Sequence, residues 1–261
     1  MPEFDNSIAV FIDYENMALG MVPNTTPNSS GRRKPVGSQL DISKILERLL
    51  DKGRIVAKRA YSDWQRYPEA VSSLHALGVD LLEIPDNNNS GKNSADIRLA
   101  VDAIELCHDK DFINTFVIVS GDSDFTPLVS RLKENGKTVI GVGMIDSTSE
   151  LLAANCDEFI FYEDIGKTAD VPLIPDNLPK EKRKAYELLL DSIEALQREN
   201  IDTMHSSIIK DAIRRKTPQF NESTYGYRSF TKLLEEVESY GLIKMHKDDK
   251  SGTWVVEGFS G

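Results

Sequence analysis

Four aspartates stand where carboxylates can do chemistry. Asp13 closes the apolar run Ser7 to Ile12, and Asp96 opens a helical pattern. Asp122 and Asp124 follow a second apolar run in Val119-Ser120-Gly121-Asp122-Ser123-Asp124-Phe125. If the runs are strands of a parallel sheet, their carboxyl ends share one edge, and acids far apart in sequence converge at one crevice. Crowded carboxylates repel, and without a counter-charge some must stay protonated. A hard divalent cation removes that cost, and oxygen-only ligands suit Mg²⁺ or Mn²⁺ rather than zinc. An acid closing an apolar strand has little structural use, so Asp13 is the firmest candidate, with Asp122 close behind. Asp124 is also placed to cap a helix beginning at Thr126-Pro127, and Asp96 to be a first-turn acid favoured by the helix dipole. Asp102 lies six residues past Asp96 and off its helical face, which leaves it a supporting candidate.

Other chemistry is thinly represented. Cys107 and Cys156 are too few for a disulfide framework or a Cys-based zinc ribbon, and read as buried small residues. His75, His108, His205 and His246 are scattered, without a His-Glu-x-x-His pair. No Gly-x-x-x-x-Gly-Lys-Ser/Thr phosphate loop occurs, and Gly141-Val142-Gly143 lacks the third glycine of a dinucleotide fingerprint.

The acids need a scaffold, and the pattern around them supplies one. Residues 7–13, 54–61, 79–84, 115–120, 137–142 and 157–162 read as strands. Helical spacing recurs over 41–50, 69–77, 95–106, 128–133 and 150–154. In the third of these, Ile97, Ala100, Val101 and Ile104 form the predicted buried face. Alternating strands and helices give an α/β fold, a Rossmann-like parallel sheet with helices on both faces. Residues 17–39 form an anomalous loop with three prolines, three glycines and the basic trio Arg32-Arg33-Lys34. It follows the first strand, at the edge where such folds bind ligands.

Pro172, Pro175 and Pro179 mark a linker over 166–180, separating a domain at 1–165 from one at 181–261. The last part has helical patterns at 182–199, 206–216 and 229–240, the last closed by Gly241. Strands at 242–246 and 252–256 bracket a charged tip, and three helices followed by a hairpin predict a small winged helix-turn-helix. Lys210, Arg214, Arg215 and Lys216 end the second helix, and Lys210 and Arg214 are i, i+4 neighbours on one face. With Tyr225 and Tyr227 stacking on bases, that face would bind RNA; the alternative is a solvated charge run with core tyrosines.

Composition bounds these readings. The chain has 261 residues, 40% hydrophobic and 28% charged, which is ordinary for a globular protein of more than one domain. No apolar run is long enough for a membrane span, and the N-terminus lacks a signal-peptide pattern, so a cytoplasmic location without membrane contact is expected. The net charge of −11 argues against nucleic acid at first sight. Its distribution changes that: residues 1–166 hold 16 Lys/Arg against 26 Asp/Glu, whereas 167–261 hold 15 against 16.

Phe11-Ile12-Asp13-Tyr14-Glu15-Asn16, Lys92 to Asp96 ahead of Val101-Asp102-Ala103, and Val117 to Phe125 together resemble the NYN domain, a LabA-like, PIN-like nuclease fold. The resemblance covers about residues 6–165. It implies a metal-dependent ribonuclease with Asp13, Asp96, Asp122 and Asp124 as the acid and metal-binding set and Asn16 as a polar helper. Ser120 is a second polar helper on the RNA side, and Lys92 is either a phosphate contact or an ordinary loop lysine. Tyr225-Gly226-Tyr227-Arg228-Ser229-Phe230, Leu233-Leu234 and Gly241-Leu242-Ile243 resemble the LOTUS (OST-HTH) domain, which implies an RNA-binding or protein-docking winged helix. The expected function is an Mg²⁺- or Mn²⁺-dependent endoribonuclease. Two alternatives stay open, a non-catalytic RNA-binding adapter and a haloacid-dehalogenase-like phosphatase. The second is weakened by Glu15, which stands where that family needs its second Asp.

Overall fold

The first apolar run becomes the middle of the sheet because nothing in it tolerates water. In the computed structural model, which describes residues 6–21, 40–84, 94–166, 171–201, 203–248 and 252–260, the chain divides into two compact units, the first ending at Gly166. Strand β1 (Ser7–Asp13) is fully buried from Ile8 to Ile12. It pairs in parallel with β2 (Arg54–Ser62) on one side and β4 (Thr115–Val119) on the other. Adding β3 (Asp80–Glu83), β5 (Thr138–Gly143) and β6 (Glu158–Phe161) gives a parallel six-stranded sheet in the order β3-β2-β1-β4-β5-β6.

A parallel sheet must be covered on both faces. The helices are α1 (Tyr14–Gly20), α2 (Ile42–Lys52), α3 (Pro68–Ala76), α4 (Ser94–Asp109), α5 (Thr126–Glu134) and α6 (Glu150–Asn155). Ala9, Phe11, Phe116 and Ile118 pack with Leu99 and Ala103 of α4 and Leu128 and Leu132 of α5. Ile8, Val10 and Ile12 alternate to the opposite face and are buried as completely. From β1 the chain proceeds to β2 on one side, and from β4 to β5 on the other. The β1–β4 boundary is therefore the topological switch point, where the carboxyl ends of parallel strands open a crevice.

Every predicted strand and helix of this unit forms, with ends within three residues of expectation. Two details differ. The loop expected to start at residue 17 starts later, because Asp13 caps a helix that continues to Gly20; residues 22–39 lie outside the described residues. The buried face of α4 is also only in part the predicted one: Ala100 and Ile104 pack partly buried against the core. Ile97 and Val101 are 63% and 56% exposed, while Leu99, Asp102, Ala103 and Cys107 are buried. The helix carries two stripes at helical spacing, and the one containing a charge is the one that packs.

The second unit has α7 (Lys180–Arg198), β7 (Met204–His205), α8 (Ser206–Lys216), α9 (Phe230–Ser239), β8 (Ile243–Lys247) and β9 (Trp254–Phe259). Its strands form an antiparallel sheet in the order β7-β9-β8, completing a winged-helix arrangement. Leu189 and Ile193, Ile209 and Ile213, and Leu233 and Val237 meet around Val256. Gly241, at φ +69°, ends α9 in the left-handed conformation. Hairpin-tip residues 249–251 and linker residues 167–170 lie outside the described residues. Tyr227 is a core residue whose hydroxyl is 3.3 Å from Glu236 Oε1, and Tyr225 stacks on Phe220 at 5.5 Å, so packing uses both rings expected to meet bases. Among the described residues no helix is long and apolar enough to cross a membrane.

Urea unfolding tests the face of α4. Leu99→Ala should cost about 2–5 kcal/mol, and Val101→Ser no more than about 0.5 kcal/mol. The reverse ranking would put the other stripe in the core.

Candidate active site

The site is assembled where β1 and β4 end side by side. Asp13 is the last residue of β1 and the N-cap of α1, its Oδ1 accepting the Asn16 N–H at 3.1 Å. Its Oδ2 accepts the Ser120 hydroxyl at 3.1 Å. The same Ser120 Oγ accepts the Asp122 N–H at 3.2 Å, and Asn16 Oδ1 accepts the Gly121 N–H at 2.9 Å. Asp122 Oδ1 takes the Asp124 N–H at 2.9 Å, capping the 3-10 turn Ser123–Phe125 that leads into α5. The expectation that Asp13 has little structural use is thus corrected: it caps a helix and ties two strand ends together. Asp124 does not cap α5, whose N-cap is Phe125 without a side-chain bond; the capping aspartate here is Asp122, on the 3-10 turn before it.

Gly121 is fixed by close packing. A Cβ there would lie 2.9 Å from both Ser147 O and Thr148 Cα. The Ser149 N–H donates to Gly121 O at 2.9 Å, which holds that loop against the strand end.

Asp13 is 6% exposed. Burial pushes its carboxyl up to about 7, the negative charges of Asp96 and Glu15 add to the rise, and the bonds from Asn16 and Ser120 oppose it. Asp96, in the first turn of α4, is pushed up to about 6 by burial and then by Asp122, Asp124 and Glu15. Asp96 is thus the link in the set: its charge raises Asp13, and the charges of Asp122 and Asp124 raise it in turn. Glu15 joins them, a residue whose place between Asp13 and Asn16 was the available signal. Its carboxylate also pairs with Arg66.

Negative charge gathered at half-buried oxygen donors fits a hard divalent cation, which would return these carboxyls to the ionised form. Among the described residues no group of three or more His, Cys, Asp or Glu side chains is placed to hold a metal ion. Mg²⁺ is commonly held through one or two carboxylates while keeping several waters, so the chemistry of these donors does not require a cage built from the chain alone.

The remaining predicted residues fall elsewhere. Ser120 is fully buried with its hydroxyl engaged, so it positions the acids and does not reach RNA, a correction to its expected role. Lys92 lies outside the described residues. Lys210, Arg214, Arg215 and Lys216 belong to the second unit. Lys210 Nζ is 2.8 Å from Glu222 Oε1, and only Arg214 of the four is exposed.

Residues 7–163 match the NYN domain, and the chain belongs to that family, whose members are generally nucleases. An uncharacterized protein of Methanocaldococcus jannaschii is 29% identical over 147 residues, covering 56% of this chain and 56% of that protein. The chain thus spans little more than half of that relative's length. A crystal structure of a protein of unknown function from Vibrio parahaemolyticus aligns with a TM-score of 0.51 at 23% identity. It covers 63% of this chain and 97% of that one, a likeness of fold. The family match supports a nuclease-like first domain in place of the phosphatase alternative.

The raised carboxyl of Asp13 makes metal-free stability depend on pH. Its folded value near 7 lies above the ordinary 3.8, so its contribution to stability is full below about 4 and is lost as pH rises through 7. In EDTA, Asp13→Asn should melt above the wild type at pH 8 and lose that advantage towards pH 4. The gain is roughly 2–4 °C for each kcal/mol relieved. A pH-independent difference in calorimetry would contradict the buried-charge account.

Proposed function

We propose that the chain is a divalent-metal-dependent endoribonuclease that hydrolyses RNA phosphodiester bonds, with its C-terminal unit as a LOTUS-like docking module. The supporting observation is that Ser120 links Asp13, at the carboxyl end of β1, to the backbone of Asp122, just past the end of the adjacent central strand β4, with Asp96 close enough to raise Asp13. Asp13 and Asp122 would hold Mg²⁺ or Mn²⁺, which supplies stabilisation of charge on the phosphoryl oxygens and a more acidic bound water. The Asn16 N–H and the Ser120 hydroxyl each bond one oxygen of Asp13 and hold its carboxyl in place. Asp96, in the first turn of α4, would complete the acid set or orient the attacking water. Asp124, exposed at the rim, orients that water or the incoming strand. Asp13→Asn and Asp122→Asn should each lower cleavage of single-stranded RNA by about 10²-fold or more while leaving affinity in EDTA intact. EDTA should stop the wild type, and Mg²⁺ or Mn²⁺ restore it. Undiminished cleavage in excess EDTA would remove the metal mechanism.

In the C-terminal unit the basic end of α8 is the RNA-facing candidate, with Arg214 as its exposed member. Burial of Tyr227 and pairing of Lys210 with Glu222 favour a second reading, in which this unit docks a protein. A salt titration of RNA binding separates the two. If Arg214 contacts a phosphate, Arg214→Ala should flatten the log–log slope by about 0.7. An unchanged slope puts the protein-docking reading first.

A further inference from the structure

Two guanidinium groups converge on one buried carboxylate beside the acidic crevice. Asp102, with its side chain 4% exposed, accepts the Tyr61 hydroxyl on Oδ2 at 2.9 Å and the Arg98 Nε–H on Oδ1 at 2.9 Å. Arg59 of β2 brings Nη1 to 3.8 Å from Oδ2. Two permanent positive charges thus share a single negative one, and among the described residues neither arginine has a second carboxylate partner. The single Nε contact leaves the terminal amino groups of Arg98 uncommitted, and that side chain is 57% exposed; Arg59 is 31% exposed. This surplus of positive charge stands in a unit where 16 basic residues face 26 acidic ones, so it is the feature there best suited to attract an anion.

Its place links it to the site. Tyr61 is the cross-strand neighbour of Asp13, and Arg98 follows Asp96 by two residues on α4. Among the described residues the carboxylate that both guanidinium groups meet is Asp102, not one of the acid set, which leaves their surplus charge for a neighbouring phosphate of the same strand. Guanidinium groups held in fixed orientation match phosphate oxygens with paired hydrogen bonds.

We propose that Arg59 and Arg98, positioned by buried Asp102 and Tyr61, grip a backbone phosphate flanking the scissile one. This rests on the reading of RNA as substrate. It gives an acidic domain its own hold on a polyanion.

The test uses the full chain in EDTA, with a short fluorescein-labelled oligouridylate and anisotropy read across a salt series. Arg59→Gln and Arg98→Gln should each reduce the log–log salt slope by about 0.7 and weaken binding about fivefold at 0.1 M salt, with the double variant showing both losses. Arg98→Lys, which keeps the charge, should retain the slope. A wild-type slope and affinity in the double variant would overturn the proposal, because the arginines then serve only to neutralise Asp102. So would an equal slope loss in Arg98→Lys, which signals damage to the fold rather than loss of a charge. Binding in EDTA is independent of turnover. A wild type that binds through this pair but never cleaves refutes the nuclease reading alone, and one that cleaves with an unaffected double variant refutes the grip alone.

Discussion

Ser120 can donate to Asp13 only because β1 and β4 are neighbours in the sheet, although their residues lie far apart in the chain. That pairing places two strand ends together at the point where the connections diverge. The loops leaving them have no strand between them and open as a crevice. Asn16 reaching Gly121, and Ser120 bridging Asp13 to Asp122, then lock the two loops into one unit. The carboxylates are held by backbone and hydroxyl donors rather than by each other. On the proposed reading, a cation would relieve the repulsion that Asp96 exerts on Asp13.

The arrangement carries a thermodynamic cost. A buried carboxylate at the end of an apolar strand destabilises the metal-free fold wherever it is ionised, and neighbouring acids deepen the penalty. The rest of the sheet is composed to bear it: every residue from Ile8 to Ile12 is fully buried, as are Phe116 to Val119. Asp102 shows the contrasting solution. It too is buried, but Tyr61 and Arg98 bond it directly, so it needs no ion. Two buried aspartates of one sheet-and-helix layer thus differ in the partners supplied: arginine and tyrosine for Asp102, a backbone N–H and a serine hydroxyl for Asp13.

Much of this was readable before any coordinates. The short runs of Val, Ile and Phe bounded by polar loops marked the strands, and the acids closing two of them marked the crevice. What escaped the reading did so for physical reasons. On α4, Ile97 and Val101 obey the same spacing as Leu99 and Ala103, and periodicity cannot rank two apolar stripes. The true core stripe includes Asp102, a charge that periodicity counts against burial, because its partners Tyr61 and Arg59 come from another element. The capping role of Asp13 was hidden because a helix following a strand without a loop left no separate start signal. Tyr225 and Tyr227 looked available for stacking because their covering residues, Phe220 and Glu236, are distant neighbours in the pattern or on another helix.

The central claim is that the β1–β4 strand ends receive a divalent cation. Its most direct test is a titration of the isotope-labelled protein with substoichiometric Mn²⁺ near neutral pH, followed by amide NMR. The backbone signals of Asn16, Gly121 and Asp122 should broaden first and together, and the effect should vanish in Asp13→Asn. Broadening that begins elsewhere, or that persists unchanged in Asp13→Asn, would contradict the account.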